Sequence, residues 1–149
     1  MEAEATCIVL NLISYDLARR AMDAGISEAK ARGIALSFAV VDCAGHLVAA
    51  ARMDGAPFVT AEIARGKAFA SVATGGQIGG DLEQRYRDNP MVWGNVSALG
   101  YGAPMLPAKG SLPLRLDGRL IGAIGASGAP SHIDEEVITV AAAAIGANK

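Results

Sequence analysis

The chain has 149 residues, 52% of them hydrophobic and 19% charged, with 13 basic and 15 acidic side chains giving a net charge of −2. That length and apolar content support one domain with a real core and exclude a disordered segment. Weak acidity without a basic cluster excludes a nucleic-acid partner, and no apolar run approaches the ~20 residues of a membrane span, so no membrane partner is expected either.

Glycine is in excess, with 18 residues, roughly twice its ordinary share. In an apolar chain this points to tight turns and close backbone approaches. The segment 1–6 carries Glu2 and Glu4 and no basic residue, which is not the pattern of a secretory signal. Cys7 and Cys43 have no CxxC partner and only two histidines are present, so no zinc set forms. Reduced, structural cysteines in a cytoplasmic protein are the expectation.

Residues 14–32 read as an amphipathic helix. Ala18, Ala21, Met22, Gly25 and Ala29 share one face, Ser14 serves as N-cap, and Gly33 ends the run. Two apolar runs, 34–41 and 46–53, flank Asp42-Cys43-Ala44-Gly45 and predict a hairpin. A helix is expected over 60–73, then a glycine-rich link at 75–80, a polar helix at 81–88 and an irregular stretch at 89–110. A second hairpin joins 112–116 to 119–126 through Asp117-Gly118, a pair suited to a turn with two positive φ angles. A last helix covers 133–147, opened by Ser131 and Asp134 as a capping-box variant. Hairpin-joined strands with helices packed on them give an α+β fold, and no linker divides residues 1–149.

Several residues can carry chemistry. Lys67 falls on the apolar side of its helix, beside Ile63, Ala64, Ala70 and Ser71, where a lysine serves a pocket or pairs with a carboxylate at a rim. The link from Ser127-Gly128 to Ser131-His132 feeds a helix N-terminus, an arrangement able to hold an anion, with His132 and Asp134 as proton partners at its mouth. A plain helix cap explains the same residues. Arg52 either clamps a carboxylate or bridges to Asp54 or Glu62, and His46 sits just past a turn. Trp93 and Tyr101 lie among Gly94, Gly100 and Gly102, as in a pocket wall or an oligomer contact.

Three stretches together resemble the GlcG/HbpS family, a haem-binding or haem-degrading domain that includes the PduO C-terminal domain. The first runs from Ala39-Val40-Val41-Asp42 to Arg52-Met53-Asp54-Gly55-Ala56, and the second is Ile63-Ala64-Arg65-Gly66-Lys67-Ala68. The third runs from Leu112-Pro113-Leu114 through Asp117-Gly118 to Ser127-Gly128-Ala129, trailed by Asp134-Glu135. Lys109-Gly110-Ser111 replaces the family's usual glycine pair, and Cys43-Ala44 replaces a glycine-rich turn.

The resemblance implies a profilin- or PAS-like antiparallel sheet with packed helices, a homo-oligomer and a small-molecule ligand. Haem or another tetrapyrrole is the cofactor it suggests, with Lys67, Lys109 or Arg52 meeting propionates. The alternative is a cofactor-free isomerase, lyase or hydratase acting on a carboxylated or carbonyl metabolite. There Lys67 is the acid/base group, Asp134 or His132 its partner, and Arg52, Ser127 and Gly128 hold the anion.

Overall fold

The computed structural model describes residues 6–99 and 101–149. Residues 1–5 of the segment read for export, and Gly100 of the aromatic stretch, lie outside the described residues. Ser14 caps helix α1 (Tyr15–Ala31), its Oγ accepting from the Leu17 N–H at 3.1 Å. Strands β1 (Ser37–Asp42) and β2 (Leu47–Arg52) form the first hairpin, and Gly45 at its turn has φ +91°. Helix α2 (Val59–Ala73) follows, then α3 (Gly79–Asp88) and α4 (Pro90–Ser97). Strands β3 (Ser111–Leu116) and β4 (Arg119–Ser127) make the second hairpin, with Asp117 and Gly118 at φ 50° and 75°, as the turn chemistry requires. Helix α5 (Ser131–Ala144) closes the fold.

The four strands form one antiparallel sheet in the order β2-β1-β4-β3. Phe38 and Val40 of β1, with Ile124 and Ala126 of β4, face α1 and α5 and build the main core. Phe38 is fully buried, and its ring fills the space that a Cβ on Gly25 would take. Truncating such a ring costs about 3–5 kcal/mol. Val41 and Ala123 point the other way, onto Ala68 and Val72 of α2. Gly125 lets α2 lie against the strand, because a Cβ there would meet the Ala64 carbonyl and come within 3.0 Å of the Ala68 N–H nitrogen.

Two expectations need correction. Residues 90–97 of the stretch expected to be irregular form α4, because Asn89 accepts from the Val92 N–H and Pro90 occupies the first turn. The predicted capping box is absent: Pro130 is the N-cap of α5, which starts at Ser131 and ends at Ala144 rather than Ala147. Asp134, 1% exposed, instead reaches back to the Ala129 N–H just before the N-cap with one oxygen and meets Lys67 with the other.

Helix α2 is covered on its outer side as well. Phe69, Ala70, Leu82 and Met105 cluster there, with Trp93 and Val96 of α4 against them. The Leu106 N–H also donates to the Gly66 carbonyl at 3.0 Å. A helix covered on both sides cannot show a clean polar face, and α2 does not.

Candidate functional site

The sequence candidates separate into two groups at opposite ends of the sheet. Strand β1 spans six residues, about 17–20 Å end to end. At its Ser37 end the register places Arg52 on one side and Ser127 on the other. Lys67, Asp134 and Lys109 gather nearby, where β4 runs into α5. At the Asp42 end, the first hairpin turn meets Phe69, Trp93 and Tyr101.

In the first group Lys67 Nζ donates to the Ala126 carbonyl at 3.0 Å and lies 3.3 Å from Asp134 Oδ2. Asp134 Oδ1 accepts from the Ala129 N–H at 3.1 Å. The two side chains are 6% and 2% exposed. Burial pushes the Asp134 carboxyl above its ordinary range, an effect that the Lys67 charge and the Ala129 N–H partly offset. Gly110, at φ +115°, closes against the pair, and a Cβ there would come within 2.7 Å of Lys67 Nζ. This explains why glycine follows Lys109.

The other candidates at this end do not converge on the pair. Lys109 lies 3.6 Å from Glu135. His132 is exposed on the first turn of α5, and Ser127 is buried. Gly128, at φ +135°, brings the backbone close to Ala35, whose carbonyl oxygen would lie 2.8 Å from a Cβ. Arg52 donates to the Ala56 carbonyl at 2.9 Å. The arrangement ties α2 to β4 and α5, and neither Lys67 nor Asp134 lines any of the cavities described below.

The second group surrounds open space. A cavity of about 310 Å³ is lined by Cys43, Phe69, Val72, Trp93, Tyr101 and Met105. It adjoins another of about 290 Å³, lined by His46, Leu47, Arg65 and Ala103, and the two share Ala44, Gly45, Phe69 and Tyr101. Phe69 and Tyr101 stand with ring centroids 6.1 Å apart, and the Arg85 guanidinium lies 5.9 Å from the Trp93 ring.

Asp42 holds the turn that forms one wall. Its Oδ1 accepts from the N–H groups of Ala44 and His46, each at 3.0 Å, and its Oδ2 lies 3.7 Å from His46 Nδ1. His46 is 80% exposed in its side chain. Burial, followed by the Asp42 charge, raises the Cys43 thiol pKa. The Arg65 Nε atom is buried with no hydrogen-bond partner. Gly45 is required here: with φ +91°, a Cβ would sit 2.8 Å from the Phe69 ring.

A larger cavity, about 500 Å³, lies between β3 and α5 and contains none of the candidates. Two of its polar side chains are already engaged. Asn148 bonds to the Arg115 N–H at 2.9 Å and the Pro113 carbonyl at 2.8 Å, and the Arg115 guanidinium donates to the Gly75 carbonyl at 3.2 Å. The aromatic groove instead combines the apolar walls of Phe69, Val72, Trp93 and Met105 with Arg65, whose Nε has no partner.

A model of the family described as haem-degrading protein HbpS-like matches residues 13–143. The chain belongs to the HbpS-like family. The protein GlcG of Escherichia coli strain K12 is 31% identical to this HbpS-like chain over 117 residues, covering 78% of the chain and 81% of GlcG. A double mutant of Streptomyces reticuli HbpS superposes with a TM-score of 0.81 at 27% identity, covering 96% of this chain and 94% of that one. A PduOC–haem complex gives 0.81 at 26% identity, with 92% and 97% covered. The GlcG/HbpS resemblance and the α+β class both hold.

Among the described residues of this family member, no helix is long and apolar enough to cross a membrane. Nor do three or more His, Cys, Asp or Glu side chains gather where a metal ion could be held.

Sequence reasoning found Trp93 and Tyr101 but missed Phe69, Arg65, Met105 and Cys43 as groove walls. One signal was available. Arg65 and Phe69 are four apart on α2, so they share a face.

Proposed function

We propose that this chain binds a planar ligand of the haem class, apolar in body and carboxylated at its edge, in the groove beside Phe69 and Tyr101. One observation carries the reading: Arg65, which lines the smaller cavity beside His46, Phe69 and Tyr101, has its Nε buried without a partner. An unpaired buried donor on a cation is costly, and a carboxylate edge is the partner that relieves it. Phe69, Trp93 and Tyr101 offer ring faces to a flat macrocycle. His46 is the imidazole at the groove's rim and has an exposed ring to offer iron, with Asp42 beside Nδ1 to fix its orientation. Haem would bring iron redox and oxygen chemistry to the site. The chain supplies the flat pocket, the cation for the propionate edge and the turn that orients His46.

The complex of PduOC with haem supports this ligand class, and unpaired Cys7 and Cys43 fit a reducing, cytoplasmic setting. The rival reading, a cofactor-free enzyme using Lys67, requires a substrate to reach an amine held by Ala126 and Asp134. The groove offers access without that rearrangement.

The test is a hemin titration of the purified protein, followed through the Soret band. A saturable band that shifts in His46→Ala and weakens in Arg65→Ala supports the site. A flat titration, or one indifferent to both substitutions, removes it.

A further inference from the structure

The cavity of about 500 Å³ between β3 and α5 differs in chemistry from the aromatic groove. Its walls are largely apolar, with Ile78, Leu112 and Pro113 facing α5. The short side chains of Ala142, Ala143 and Ala147 leave the space between helix and strand unfilled. Two cations, Arg115 and Lys149, stand on its walls, and no acidic side chain lines it. Neither cation is paired with a carboxylate among the described residues.

Backbone geometry holds both cations in place. The link from α2 to α3 makes room for Arg115 at Gly75 and Gly76, whose φ angles are +79° and +93°, and a Cβ on Gly76 would collide with the guanidinium. Arg115 Nη2 donates to the Gly75 and Gly76 carbonyls at 3.2 and 3.5 Å, which leaves Nε and Nη1 without an acceptor among the described residues. On the opposite wall Asn148 is tied to β3 through the Pro113 carbonyl and the Arg115 N–H and carbonyl. Its φ of 64° turns Lys149 back over Gly146, where Nζ would lie 4.0 Å from a Cβ. The Ala142 and Ala143 carbonyls would repel an anion, but the N–H groups of Ile145, Gly146 and Ala147 already occupy them.

We infer that this cavity is a second ligand site, for a small amphipathic anion: an apolar chain lying between β3 and α5, with one carboxylate meeting Arg115 in the field of Lys149. A neutral hydrocarbon would leave both charges uncompensated. A small hydrophilic anion would gain nothing from the apolar walls. No aromatic ring lines the cavity, so nothing here stacks a flat macrocycle as Phe69 and Tyr101 can. The volume lies within the range of about 300–1,000 Å³ that holds small organic ligands. Anion binding here and haem binding at the groove are independent of each other.

Calorimetric titration of the purified full chain with decanoate, below its micelle concentration, tests the site. Saturable binding is expected, about tenfold weaker for decanol and absent for decyltrimethylammonium, which carries the wrong charge. Arg115→Gln should weaken decanoate about tenfold, and Lys149→Gln about threefold. Ala143→Phe fills the cavity from an exposed position of α5, so it should abolish decanoate binding without disturbing the core, and it serves where Arg115→Gln fails to fold. Hemin affinity should stay unchanged in Ala143→Phe. No decanoate binding, equal affinity for decanol, or decanoate binding indifferent to a folded Ala143→Phe overturns the site. A decanoate affinity that falls in Arg65→Ala instead places the probe in the aromatic groove and overturns it equally.

Discussion

Lys67 Nζ lies 3.3 Å from Asp134 Oδ2, joining the middle of α2 to the first turn of α5 across 67 positions of sequence. Both side chains are almost without solvent contact. Removing one partner therefore strands the other charge, and Lys67→Ala or Asp134→Ala should each cost about 3–5 kcal/mol. Replacing both with apolar residues of similar size, Lys67→Met with Asp134→Leu, should restore most of the loss. Urea unfolding of the three variants checks this. Single variants within about 1 kcal/mol of wild type would mean the pair is solvated.

The same pair sets a pH dependence. The Asp134 carboxyl is raised by burial, with Lys67 as the largest offset. An ordinary aspartate ionises near pH ~3.9, so the folded state holds this proton longer than the unfolded chain does. The contribution is fully present below that value and is lost as pH rises through the raised folded value. Asp134→Asn removes the titration. The stability difference between wild type and Asp134→Asn should move against the wild type as pH rises from about 4. A difference flat in pH, measured by denaturant unfolding, contradicts the assignment.

How far the sequence reveals this site depends on how local its signals are. Asp117-Gly118 announces a turn because the chemistry sits in two adjacent residues, and both adopt the positive φ it demands. Lys67 stands out because helical spacing puts it among small apolar neighbours. Its partner carries two readings at once, because Asp134, three residues after Ser131, fits a helix cap as well as a proton partner for Lys67. The aromatic groove was the least legible part. Its walls come from the 43–47 turn, α2, α4 and the 101–105 segment, and no local pattern links them. Trp93 and Tyr101 were visible as aromatics among glycines, whereas nothing local singles out Phe69.

Gly45 offers a way to close the groove without touching its polar groups. It has φ +91°, and a Cβ would lie 2.8 Å from Phe69 Cε2. Gly45→Ala should cost about 1–3 kcal/mol in backbone strain and push the ring into the cavity, weakening hemin binding. Gly33→Ala is the matched control, with φ +70° and nothing within 4 Å. It should lose similar stability and keep its affinity. Equal affinities in the two variants would separate Phe69 from the ligand site.

Helix α4 holds Trp93 at the groove and has only eight residues, none of them fully buried. Its start depends on Asn89, which accepts from the Val92 N–H, and on Pro90 behind it. Asn89→Ala should destabilise this turn by about 1 kcal/mol and leave the sheet untouched, because α4 packs on α3 and the outside of α2. Amide exchange should quicken over residues 92–97 and stay unchanged in β1 and β4. Trp93 fluorescence should shift as the ring leaves Arg85. Protection over 92–97 that matches the wild type would show that α4 does not depend on the Asn89 cap and is held by the packing of Trp93 and Val96.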